Sequence, residues 1–88
     1  NALLWMAQAA SVSDAANLVT SMESSLAAGN PSFTPVGVFQ FSGRDVYMLD
    51  GLGQSHFYFK SGSKVIWLTV DATSAEQALK ELLAFYPD

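Results

Sequence analysis

The sequence predicts a single α+β domain spanning its 88 residues. The expected architecture is a four- or five-stranded antiparallel sheet packed on two helices, in the order strand, helix, four strands, helix (β-α-β-β-β-β-α), with a ferredoxin-like layout as one arrangement of those elements. Three observations carry this. His56 to Val70 reads as a hairpin turning at Gly62-Ser63. Two amphipathic segments each open on a capping signal and close on a proline. Between them, short β-branched and aromatic runs alternate with glycine turns.

The first element is Leu3 to Ala7. Trp5 beside Met6, and the break at Ser11, favour a strand over a backward extension of the helix that follows. The chain opens on Asn1-Ala2 with no initiator methionine, read here as the remnant of a cleaved tag.

Ser11 and Asp14 resemble a capping box and start the first helix, expected from Val12 to Ala28. Ala15, Leu18, Val19, Met22 and Leu26 recur on one face, while Ser13, Asn17, Thr20, Ser21 and Ser24 fill the other. Gly29 suits a left-handed end and Pro31 blocks continuation. The second helix repeats this grammar, with Thr73 and Glu76 as the capping box, Ala75, Ala78, Leu79, Leu82 and Tyr86 as the stripe, and Pro87 as the stop. An offset of sixty residues superposes the two stripes, a weak internal repeat.

Four strands are expected between the helices. Pro35 precedes Val36 to Phe41, an edge-type strand. A glycine-first turn at Gly43-Arg44 returns the chain through Val46 to Leu49. Phe39, Phe41, Val46 and Met48 then share one face, and Val38, Gln40, Tyr47 and Leu49 the other. Asp50 to Gly53 is a glycine-rich connection into His56 to Lys60. The turn at Gly62-Ser63 sets Phe59 opposite Ile66 and Phe57 opposite Leu68 on a core face, expected beneath both helices. The second face pairs Lys60 with Val65, Tyr58 with Trp67, and His56 with Thr69.

That second face supplies the candidate site. Tyr58, Trp67, His56, Lys60 and Thr69 form an amphipathic aromatic surface, expected to stay open and to bind a second copy of the chain or another protein segment. Trp67→Ser is the substitution expected to disrupt it. A small-molecule site on the same face, with His56 and Lys60 at its rim, is the alternative. A small enzyme using His56 as a base with Asp50 ranks last, because no nucleophile elbow accompanies them.

Composition narrows the partners. Eight carboxylates oppose Arg44, Lys60, Lys64 and Lys80, a net charge of −4, so no basic stripe exists to neutralise a phosphate backbone. Nucleic acid is therefore not an expected partner. Cysteine is absent, and one histidine among dispersed acids has no metal-ligand spacing, so neither metal nor cofactor is expected. Gly51-Leu52-Gly53 leads into a strand rather than a helix, which removes the phosphate-loop reading. No apolar run reaches the ~18–20 residues of a membrane-spanning helix. The serine-rich, lysine-poor composition resembles extracytoplasmic domains of bacterial envelope proteins, and an extracytoplasmic location is expected on that ground.

Overall fold

A computed structural model describes residues 2–29, 32–41 and 43–86. Five strands, β1 (Ala2–Gln8), β2 (Thr34–Phe41), β3 (Arg44–Gly51), β4 (Gln54–Ser61) and β5 (Lys64–Val70), form one antiparallel sheet in the order β1-β5-β4-β3-β2. Helix α1 (Val12–Ala27) follows β1, and helix α2 (Ala75–Phe85) follows β5 through a 3-10 turn at Ala72–Ser74. The predicted class, element order and first strand are all present. Asn1, Pro31 and Pro87, each assigned a role from sequence, lie outside the described residues.

The finer layout differs from the ferredoxin-like option and from the expectation that both helices lie on one side. Phe57, Phe59, Ile66, Leu68 and Val70 pack with Val46 against Ala75, Leu79 and Leu83 of α2. On the opposite face, Leu49, Tyr58 and Val65 pack with Ala15 and Val19 of α1. The helices thus cover opposite faces of a three-layer domain. The reason is legible in the strands: Val46 and Leu49, or Val65 and Ile66, give one strand apolar residues on both faces, which requires a cover on each side.

Local signals account for most boundaries. Ser11 Oγ accepts the Asp14 amide at 3.1 Å, so the first cap forms as predicted. The second does not. Thr73 sits inside the 3-10 turn, Ser74 occupies the cap without a side-chain bond, and the helix starts later than the Thr73–Glu76 pair implies. The Ser74 amide bonds back to the Asp71 carbonyl at 3.0 Å, which draws this segment into the tighter turn.

The connection expected over Asp50 to Gly53 is tighter than predicted, because Asp50 and Gly51 belong to β3 and Gly51 pairs with Gln54, leaving Leu52-Gly53 as a two-residue turn at φ +56° and +76°. Ser61 opposes Lys64 across Gly62-Ser63, with Gly62 at φ +58°, as the glycine-first reading requires. The β2–β3 turn is displaced by one residue from prediction. Phe41 pairs with Arg44, which puts Arg44 in the strand rather than in the turn, and Gly43 takes φ +77°. The predicted face sharing survives, because Phe39 pairs with Val46 and Val38 with Tyr47. A register shift between Pro35 and Gly37 then bends β2 at the sheet edge.

Candidate interaction site

The registers bring four aromatic residues into one line across four strands. Tyr47 opposes Tyr58, Tyr58 opposes Trp67, and Trp67 opposes Trp5. The Tyr47 and Tyr58 rings stack at 4.8 Å with 7° between planes, and Tyr58 stacks on Trp67 at 5.5 Å and 6°. Of this row the sequence yielded only the Tyr58–Trp67 pair. Its Tyr47 end depended on the tight turn at Leu52-Gly53, hidden in what reads as a longer glycine-rich connection, and its Trp5 end on the register of β1, which no turn joins to β5.

The centre of the row is not open, contrary to the expectation for this face. Tyr58 is 2% exposed in the cluster beneath α1, and His56 and Thr69 are also buried. His56 Nε2 donates to the Gly51 carbonyl at 2.9 Å. In the neutral ring its Nδ1 then accepts from the Thr69 hydroxyl at 2.9 Å, and Thr69 Oγ1 accepts from Trp67 Nε1–H at 3.0 Å. Phe33 closes the ring edge-on at 4.8 Å. The Asp50–His56 pairing that a general base would use does not assemble. Leu49 is the residue opposite His56, so Asp50 projects to the other face.

Lys60 and His56 do not share a rim either. They lie four residues apart on β4, roughly 13 Å, with Tyr58 between them. Lys60 instead borders a cleft of about 320 Å³ with Thr20, Asp45 and Tyr47. Trp67 is half-buried, and its flank lines an apolar groove with Leu18, Met22 and Leu26 of α1. Among the described residues, no group of three or more His, Asp or Glu side chains could hold a metal ion. Nor is any helix among them long and apolar enough to cross a membrane.

The environment of the row shifts its phenols. Burial, then the Glu23 carboxylate, then Tyr47 push the Tyr58 hydroxyl up to about 12. Tyr47 is raised by burial, then by Glu23 and Asp45. A phenol held protonated in the fold but ionising near ~10 when unfolded leaves stability unchanged below about pH 10 and lowers it as pH rises toward about 12. Alkaline titration followed at 295 nm is therefore expected to show Tyr58 ionising well above pH 10, with stability falling over the same range. Ionisation of all three tyrosines near pH 10 in a folded protein would contradict this.

The open part of the face is its β1 end. Leu3 and Trp5 on the α1 side are 67% and 54% exposed, and Leu4 and Met6 on the α2 side 44% and 45%. β1 is an edge strand without charge, proline or glycine. The other edge, β2, carries Pro35, Gly37 and the bulge, devices that discourage strand pairing. The outward backbone groups of β1 follow from the ladder. The Ala9 amide donates to Ser63 at 2.8 Å, one step beyond the Gln8–Lys64 pair. Bonded positions therefore fall on odd residues, and Ala2, Leu4, Met6 and Gln8 turn their N–H and C=O groups outward.

What these features define is a three-layer α+β domain with one protected and one unprotected sheet edge. In comparison with known proteins, the chain matches no family model, no curated protein and no solved structure.

Proposed function

We propose that this chain is a non-enzymatic interaction domain, the folded part of a larger bacterial envelope protein, that self-associates through the open end of its aromatic sheet face. The observation that carries the reading is the set of apolar side chains on both faces of an unprotected edge strand, Leu3, Leu4, Trp5 and Met6. The serine-rich, lysine-poor composition supports the envelope assignment. The contact surface is shifted from the middle of the row, which α1 occupies, to Trp5 and the flank of Trp67.

Trp5→Ser replaces Trp67→Ser as the informative substitution. Trp67 stacks on Tyr58 and bonds Thr69, so its loss damages the interior, whereas Trp5 is exposed. In sedimentation velocity the parent chain is expected to move from monomer toward dimer mass as concentration rises. Trp5→Ser is expected to weaken that association at least tenfold with an unchanged far-UV spectrum. A parent chain that stays monomeric up to millimolar concentration refutes the reading.

A further inference from the structure

Resting on that reading of β1, we infer that the partner is a second copy of this chain, joined β1 to β1 in antiparallel register about a twofold axis at Trp5, so that two five-stranded sheets become one continuous sheet. The register follows from three features. A centre at Trp5 pairs every residue of β1: Ala2 with Gln8, Leu3 with Ala7, Leu4 with Met6, and Trp5 with its own copy. It matches the ladder, because Leu4 and Met6 present outward N–H and C=O groups and would exchange both hydrogen bonds, leaving Trp5 at the closer, non-bonded pair. It also continues the row Tyr47–Tyr58–Trp67–Trp5 directly into the copy's Trp5.

A second copy fits better than a charged partner because β1 offers no charge, either to repel itself or to recruit an opposite. The area agrees with a reversible contact. The exposed fractions of Leu3, Leu4, Trp5 and Met6 correspond to on the order of 450 Å² per copy, so their full burial would give about 900 Å² across the axis, just short of the ~1,000 Å² of a stable specific interface.

Cysteine cross-linking tests the register, since the native chain has no cysteine. At a closely spaced antiparallel pair the Cα atoms lie ~4.5 Å apart, within the range a disulfide spans. A mixture of Leu3→Cys and Ala7→Cys, which keeps Trp5, is expected to form the mixed covalent dimer under mild oxidation several-fold faster than either variant alone forms its homodimer. A mixture of Leu4→Cys and Met6→Cys, which also keeps Trp5, is expected to do the same. A parent dimer that cross-links best in another pairing overturns the register and leaves self-association standing. A parent dimer that cross-links at none of these positions moves the interface off β1 and overturns the inference. A monomeric parent overturns both readings and leaves the edge to a strand from a different polypeptide.

Discussion

Arg44→Ala is expected to lower the stability of the domain by about 2–4 kcal/mol, the largest loss from any one charged side chain here. Arg44 is buried at the start of β3, and its guanidinium ends helix α2. Nη1 donates to the Tyr86 carbonyl at 2.6 Å and Nη2 to the Leu83 carbonyl at 2.8 Å, with the cation 5.1 Å from the centre of the Phe59 ring. Helix α2 has no basic residue in its last turn, so this arginine supplies the positive charge that the helix C-terminus favours. A hydrogen bond from a charged donor contributes ~1.5–3 kcal/mol and the ring contact ~0.5–1, and because both bonds and the ring contact share one guanidinium their losses overlap rather than add. Against a total of ~4–13 kcal/mol for a chain this long, the loss is severe. It should appear as a drop of roughly 10–25 °C in Tm. Arg44→Lys keeps the charge but not the fork that spans both carbonyls, and should recover about half. A change under ~0.5 kcal/mol in urea unfolding of the alanine variant would remove Arg44 from this role.

Gly51→Ala should be comparably damaging, at about 2–4 kcal/mol, for a steric reason. A Cβ at Gly51 would overlap the Ser32 carbonyl oxygen and meet Phe33 Cδ1 at 3.0 Å. The obstacle is backbone, so it cannot rotate away. Moving it lifts Phe33 from His56 and Trp67 and disturbs the bond from His56 to the Gly51 carbonyl. Gly53→Ala is the control. A Cβ there meets open space but inherits φ +76°, so only the ~1–2 kcal/mol of a left-handed residue is expected. Equal losses in the two variants, measured by chemical denaturation, would show that the Ser32–Phe33 segment yields freely.

Both sites bear on what a sequence can disclose. Hairpin β4–β5 was legible residue by residue because Gly62 and Ser63 set its register locally and alternation then sorted its faces. The first cap was legible because Ser11 and Asp14 are neighbours in one turn. Arg44 read as a turn residue and one of four scattered cations, since the carbonyls it binds lie at the end of a helix far along the chain. The same limit hid Trp5. Its place in the aromatic row depends on pairing with β5, and no turn joins those two strands. The openness of Tyr58 was misjudged because apolar residues on both faces of β3, β4 and β5 could be counted, while the helix assigned to each face could not.

The junction of β1 with β5 also orders events in time. Strands β2 to β5 form a meander of neighbours, and such short loops close at little entropic cost. β1 must find its place from the opposite end of the chain, and contacts of that separation form late. The meander is therefore expected to assemble first, with the amino-terminal strand completing it. In amide exchange of the monomer, the amides of Leu3, Trp5 and Ala7, which face β5, should open well before those of β4, through partial unfolding that leaves the hairpin intact. The strand that arrives last is also the one left facing outward, so completion of a single fold and recruitment of a second copy meet on the same seven residues.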